Sequence, residues 1–196
     1  MTPVRMRRKE GGLVLIAVLV VLVITLLAGM SVMRSVQTSN TISGNFAFRQ
    51  AAVQATDRAV EEAMAVVLNR GATGNIDVPK RYYAVIDNTV NSLGVPTAIA
   101  WDGTDPVSCE NEKGAIVDCA ADTGGYRIQY VVQRRCSRNP DLADVTQIRA
   151  YCEYEPRADA TTPAAMKLHY RVLIRVRGPR GTENWFEAML AGPATS

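Results

Sequence analysis

The sequence has little of what catalytic and metal-binding sites usually require. His169 is the single histidine among 196 residues, so a zinc site or a nucleophile–base pair built on it has no partner at the required spacing. No glycine-rich phosphate loop, GxSxG or HExxH motif, or CxxC pair occurs. We therefore expect a protein that is not an enzyme and carries no cofactor, with His169 on its solvated surface.

One long stretch near the N-terminus has no charged residue, and a longer one has no proline. Residues 13–33 form an uncharged apolar run of 21 residues, and a helix of that length spans about 30 Å, the thickness of a bilayer core. No proline lies between Pro3 and Pro79, so nothing forces a helix to stop early. We predict one helix over residues 13–70, membrane-spanning over 13–33 and amphipathic over 34–70.

Apolar side chains recur at steps of three and four in the second part of this helix. Arg58 and Glu62 stand four residues apart on the other side, where they can form an ion pair. The polar stretch 39–45 is a poorer helix former and favours a kink or local melting, and Gly71 predicts the helix end. The apolar face consists of Phe48, Ala52, Ala55, Ala59, Ala63 and Val66, widened by Val53, Val60, Met64 and Val67.

The net charge of +3 comes entirely from the N-terminal end. The first twelve residues hold four basic side chains and one acidic one, whereas the other 184 residues hold 18 of each. Basic residues beside an apolar segment stay on the cytoplasmic side of a membrane, which predicts export of the C-terminal part. The balanced remainder does not indicate a nucleic-acid-binding surface.

All the cysteines lie in the part predicted to be exported: Cys109, Cys119, Cys136 and Cys152. An even number of cysteines in an oxidising compartment favours two disulfides over a metal or catalytic site. Three pairings are open to four cysteines. We favour the two local ones, Cys109–Cys119 and Cys136–Cys152.

Residues 71–196 are predicted to form a globular head built on β-strands. Alternating apolar and polar residues indicate strands over 126–133, 170–177 and 184–190, and the glycine-rich turn 178–181 joins the last two. Shorter strands are expected near 82–86 and 98–101. The arginines of the second strand are expected to face solvent or acidic residues of a neighbouring molecule: Arg171, Arg175 and Arg177.

Two carboxylates and two tryptophans in the predicted head are further candidates for a binding site. Asp102 and Asp105 are a weak candidate for a calcium site, but the loop lacks the full acidic pattern of an EF-hand. A polar loop is the better interpretation, and we predict no metal. Trp101 and Trp185 are expected to be packing residues rather than a ligand platform.

Three stretches together resemble the minor pilins of the PilX family. They read RRKEGGLVLIAVLVVLVITLLAGMSVMRS, SGNFAFRQAAVQATDRAVEEA and, near the end, LHYRVLIRVRGPRGTENWFEAMLA. The resemblance implies an α+β type IV pilin fold, a long N-terminal helix packed on an antiparallel β-sheet head. It also implies that residues 1–12 are a leader, removed by a prepilin peptidase between Gly12 and Leu13, with cleavage after Gly11 as the less favoured alternative and methylation of the new N-terminus.

Ala17 would be the fifth residue after that cut, where most pilins carry a glutamate that neutralises the N-terminal amine of a neighbouring subunit. Minor pilins of the PilX type lack this glutamate, so the alanine favours the narrower family. The implied role is in pilus assembly initiation or at the tip, in adhesion, twitching motility or DNA uptake. The alternatives are a minor pseudopilin of type II secretion and a membrane-anchored exported binding protein.

The implied partners are other minor pilins and the major pilin, met through the N-terminal helix, the prepilin peptidase and the inner-membrane assembly machinery. Nucleic acid is not an expected partner. The implied location is the inner membrane, crossed once with the head in the periplasm, and then the filament at the cell surface.

Overall fold

A computed structural model describes residues 11–70, 73–120, 125–156, 161–178 and 181–194. The chain divides into two compact units, Met1–Ala47 and Phe48–Ser196. The architecture is α+β, as predicted. Its helices are α1 (Gly11–Leu68) and α2 (Val145–Tyr151), and its strands are β1 (Tyr82–Tyr83), β2 (Cys109–Glu110), β3 (Ile116–Val117), β4 (Arg127–Arg134), β5 (Lys167–Arg177) and β6 (Glu183–Pro193).

Helix α1 is one continuous helix of 58 residues. The polar stretch 39–45 stays helical, so the kink or melting that its composition favours is not observed. The hydroxyl groups of Thr38 and Thr41 donate to carbonyl oxygens one turn earlier, at 3.0 Å in both cases, so these polar side chains are satisfied within the helix. Gly71, the predicted end signal, lies outside the described residues.

The six strands form one sheet in the order β3-β2-β4-β5-β6, with β1 also paired to β4. The β1–β4 pairing is parallel and the others are antiparallel. The three long predicted strands correspond to β4, β5 and β6. The short ones were less accurate: β1 has only two residues, and 98–101 is a turn and bend without strand pairing.

The two faces of the central strands are both buried. Ile128, Tyr130 and Val132 of β4 belong to a core cluster with Ala59 and Ala63 of α1. Val131 and Leu173, which face each other across β4 and β5, pack on the opposite face. Their neighbours come from an irregular segment between β1 and β2: Val95, Ile99, Trp101 and Val107. Strand β5 is therefore buried on both faces over most of its length, because this segment covers the face on which its arginines were expected to meet solvent.

Candidate functional site

The first candidate functional element is the apolar run of α1. Every residue from 14 to 33 is exposed, and the large apolar side chains range from 44% exposure at Val23 to 71% at Met33. Among the described residues one helix, Val14–Leu68, is long and apolar enough to cross a membrane, a test that a signal sequence near the N-terminus also passes. The hydroxyl of Thr25 donates to the carbonyl oxygen of Leu22 at 2.9 Å, which satisfies the one polar side chain in the middle of the run.

The predicted processing site lies at the beginning of α1. Gly11 is the first helical residue, and Gly12 and Leu13 follow in the same turn. Residues 1–10 of the predicted leader lie outside the described residues, so cleavage stays a prediction. Ala17 lies within the exposed apolar run, where it offers a neighbouring chain only a methyl group.

The second element is the buried face of α1 in the head. Ala52, Ala59, Ala63 and Val67 follow one another at steps of seven, four and four and are at most 2% exposed. They belong to one cluster with the even-numbered core residues of β4 and β5, so the alanine-rich face packs on the sheet as predicted. Val53, expected to widen this face, is instead 46% exposed.

Two glycines allow the helix to approach the sheet this closely. A Cβ on Gly192 of β6 would lie 2.2 Å from Cγ1 of Val67, and one on Gly178 would lie 2.2 Å from Cε2 of Phe48. Atoms cannot approach that closely, so both positions depend on the missing side chain. Phe48 also stacks on Tyr126, with ring centroids 5.7 Å apart. The helix is thus fitted to the sheet along the length of its buried face.

A charged cluster that the sequence did not reveal joins α1 to β2. Glu110 is nearly buried, with its side chain 8% exposed, and accepts from Nη2 of Arg81 at 2.6 Å. Nη2 of Arg58 is 3.7 Å from the other oxygen of Glu110 and also pairs with Glu62. The guanidinium of Arg81 lies over the ring of Tyr130, 4.2 Å from its centroid. Only the Arg58–Glu62 pair was predicted.

The two carboxyl groups of this cluster have opposite pKa shifts. Burial raises the pKa of Glu110, and its hydrogen bond with Glu62 acts in the same direction, against the effect of Arg81. Burial would also raise the pKa of Glu62, but its hydrogen bonds with Glu110 and Arg58 outweigh burial and lower it. Glu110 therefore keeps its proton to higher pH than an exposed glutamate does, and the cluster links α1 to β2 through charge-assisted hydrogen bonds.

Two of the three arginines predicted to be exposed, Arg171 and Arg175, are instead buried, and all three pair with carboxylates of the same chain. Arg175 is 5% exposed, and its guanidinium donates to Asp102 at 2.9 Å and to Glu183 at 2.6 Å. Arg177 pairs with the same two carboxylates. These bonds leave Arg175 no free surface for a neighbouring molecule. The prediction failed because it assumed an uncovered sheet face.

Arg171 follows the same pattern further along β5. It is 8% exposed, and its Nη2 donates to the carbonyl oxygen of Gly94 at 2.6 Å and to Glu187 at 3.1 Å. His169, on the same face, is half-buried rather than fully solvated. The segment between β1 and β2 therefore covers Arg171 and Arg175 as well as the apolar Leu173 between them.

The weak calcium candidate does not fit the observed pairing. Asp102 accepts from Arg175 and Arg177, and Asp105 pairs with Lys80, so both carboxylates face cationic side chains. Burial would raise the pKa of Asp102, but Arg175 and Arg177 outweigh it and lower the value. Among the described residues no group of three or more potential metal-ligating side chains occurs.

The two tryptophans pack on each other, as expected. Trp101 is 7% exposed, and its ring meets that of Trp185 edge to face, with centroids 4.8 Å apart and planes at 82°. Such pairs add about 0.5–1.5 kcal/mol beyond the burial of area. Trp101 belongs to the core cluster that includes Val131 and Leu173, and Trp185 packs against that cluster, so the pair stabilises the covering segment.

Both local disulfides favoured by the sequence are present. Cys109–Cys119 joins Cα atoms 5.3 Å apart across a separation of 10 residues, and Cys136–Cys152 joins Cα atoms 3.9 Å apart across 16 residues. Each closes a short loop, for which the chain-entropy model gives about 3 kcal/mol of stabilisation. The first cross-links the β2–β3 hairpin, and the second ties the end of α2 to the residues after β4.

No family model, curated protein or solved structure matches the chain. The structure itself defines the class of architecture. A long N-terminal helix, apolar and exposed in its first part, packs its later part on a largely antiparallel sheet with two disulfides. This architecture is pilin-like.

Proposed function

We propose that this chain is a minor pilin of a type IV pilus, acting in assembly initiation or at the pilus tip. The observation that carries the proposal is the dual character of α1. One unbroken helix supplies an exposed apolar run over residues 14–33 and a buried alanine-rich face beyond Phe48. A helix that only anchored a separate domain would not need to continue into that domain's core.

The same helix fits both environments that a filament subunit occupies. Its apolar run is stable in the inner membrane, and after extraction it can pack among similar helices in the core of a filament. Ala28 and Gly29 permit close approach between helices, and a Cβ on Gly29 would meet nothing within 4 Å in the isolated chain. The helix is thus the proposed contact with other minor pilins and the major pilin.

Ala17 supports a position at the start or the end of the stack. A carboxylate in an apolar environment is costly and is retained where it meets a cationic partner. After cleavage at Leu13, Ala17 offers no charge to the amine of an adjacent subunit. A subunit of this kind suits the first or last position of a filament better than a repeating one.

The proposed role is structural and requires neither bond-making chemistry nor a cofactor. The head is proposed to lie in the periplasm while the helix spans the inner membrane, and then at the cell surface in the filament. The prepilin peptidase and the inner-membrane assembly machinery would act on the leader and the helix. The balanced charge outside the leader gives no support to nucleic acid as a partner.

Intact-mass and N-terminal peptide analysis of protein purified from membranes tests the proposal most directly. We expect a chain that begins at Leu13, with or without a methyl group on its amine. The variant Gly12→Asp should remain at full length, because the cleavage junction is altered. A wild-type chain that still begins at Met1 would refute the pilin assignment.

A minor pseudopilin of type II secretion is supported by the same helix and the same buried face. A deletion mutant separates the two: loss of surface pili and twitching supports the pilus, whereas loss of enzyme secretion with pili retained supports the secretion system. A mutant with both processes intact, together with an uncleaved chain, would favour a membrane-anchored binding protein.

A further inference from the structure

The two disulfides differ in how easily a reagent can reach them. Cys136 and Cys152 are 0% and 7% exposed and lie in the main core cluster. Cys109 is also buried, at 1%, but Cys119 is half-buried, and both line a cleft of about 350 Å³. Exchange with a thiol requires access to a sulfur atom, and of the two disulfides Cys109–Cys119 is the one that borders this cleft.

The walls of this cleft are partly polar and partly apolar. Basic, acidic and hydroxyl side chains line it beside the two cysteines: Lys80, Asp102, Thr104, Ser108, Asp118 and Arg177. Several of these side chains are exposed, so the cleft can admit a small polar reagent from solution. The Cys136–Cys152 pair, surrounded by apolar core residues, offers no comparable approach.

The hairpin closed by this disulfide has little strand pairing with the rest of the sheet. Its strands, β2 and β3, have two residues each. Strand β2 pairs with β4 at one position, Glu110 opposite Ile128, and among the described strands β3 pairs only with β2. Because so short a ladder contributes little, the covalent link is a principal constraint on the hairpin.

The hairpin also contacts the buried part of α1. Nη1 of Arg58 donates to the carbonyl oxygen of Asn111 at 3.2 Å, and Gly114 leaves room for that guanidinium, since a Cβ there would lie 1.6 Å from Nη2 of Arg58. Glu110 adds its link to Arg81 and its proximity to Arg58. Opening the disulfide would therefore loosen a contact with the helix as well as a surface loop.

We infer that Cys109–Cys119 is a thiol–disulfide exchange site whose reduction by a dithiol releases the β2–β3 hairpin from α1, while Cys136–Cys152 stays oxidised. A thiolate of the dithiol attacks Sγ of Cys119, the Cys109–Cys119 bond breaks, and Cys109 leaves as a thiolate that takes up a proton. The second thiol of the reagent then displaces Cys119, which is also protonated. The dithiol becomes a disulfide, and two electrons and two protons pass to the protein. The inference does not depend on the pilin assignment.

The test is a time course of reduction on the full chain in detergent micelles. Dithiothreitol is the probe, free thiols are trapped with N-ethylmaleimide, and the modified peptides are identified by mass spectrometry. We expect Cys109 and Cys119 to be labelled about tenfold or more faster than Cys136 and Cys152. In the same samples, amide exchange should increase over residues 109–117, and trypsin should cleave after Lys113, while residues 128–133 of β4 remain protected.

Two paired variants serve as controls. Cys109→Ser/Cys119→Ser should reproduce the hairpin exchange and the cleavage after Lys113 without any reductant, with β4 still protected. In Cys136→Ser/Cys152→Ser the remaining disulfide should still be reduced quickly. Equal labelling rates for the two pairs, loss of protection in β4 during reduction, or a hairpin that stays protected after selective reduction would each overturn the inference.

Discussion

Gly192→Ala tests whether the fit between α1 and the end of the sheet depends on a missing side chain. The new Cβ would lie 2.2 Å from Cγ1 of Val67 and 3.2 Å from Cε2 of Tyr170. Val67 is 0% exposed and Tyr170 is 2% exposed, so neither can turn into free space. Overpacking of this kind costs typically about 1–3 kcal/mol of unfolding free energy. Alanine is intrinsically better than glycine in a strand by about 0.5–1 kcal/mol, so the measured loss understates the clash.

A compensating variant distinguishes this clash from a general effect of the mutation. Val67→Ala alone removes buried methyl groups and should cost roughly 1–3 kcal/mol. The double variant makes room for the new methyl group, so its loss should fall short of the sum by about 1 kcal/mol or more. Gly125→Ala is the matched control, because its Cβ would be 4.0 Å from the nearest atom, on Arg127, and should change stability by less than about 0.5 kcal/mol.

The measurement is equilibrium urea unfolding of the detergent-solubilised chain, followed by tryptophan fluorescence. Trp101 and Trp185 contact each other in the second core cluster, so their emission reports the unfolding of the head. Two results would refute the close contact between Val67 and Gly192. One is an unfolding free energy of Gly192→Ala within about 0.5 kcal/mol of the wild-type value. The other is a double variant whose loss equals the sum of the two single losses.

Two further predictions concern charges and backbone. The pKa values of Asp102 and Glu183 are lowered in the fold, so their ion pairs stabilise the protein above the unfolded pKa values near pH 4, and this stabilisation is lost as pH falls through the folded pKa values. In acid titrations followed by circular dichroism, the stability of Asp102→Asn should therefore fall less steeply with decreasing pH than that of the wild type. An unchanged pH profile would contradict the assignment. Lys80 has φ of 67° at the third position of a turn that begins at Val78 and contains Pro79, a position that favours glycine. Both Lys80→Gly and Lys80→Ala remove the ion pair with Asp105, but only glycine adopts a positive φ without steric strain, so the glycine variant should be more stable than the alanine variant by about 1 kcal/mol in urea unfolding. Equal stabilities would show that the backbone at this position is not strained.

Features that depend on neighbours along the chain could be predicted well. The buried face of α1 follows from apolar residues at steps of three and four, because residues at that spacing share one side of a helix. Strands β5 and β6 follow from alternation on either side of a turn signal, and the disulfide pairs from the short loops that they close. Helix propensity did not predict that α1 continues through residues 39–45. Propensity treats each residue separately, whereas the hydroxyl groups of Thr38 and Thr41 donate hydrogen bonds to carbonyl oxygens of the preceding turn.

The buried charged groups lay beyond sequence reasoning because their partners are distant in the chain. Arg175 and Asp102 are 73 residues apart, and Arg81 and Glu110 are 29 apart, with no motif to connect them. The sequence by itself determined the apolar helix and its packing face, because both depend on spacing within one segment, and it favoured the two local disulfides that the structure contains. Only the tertiary structure decided that the second face of the sheet is covered. The covering segment has no periodicity in its sequence, and the apolar cluster and ion pairs that hold it in place form only once the chain has folded.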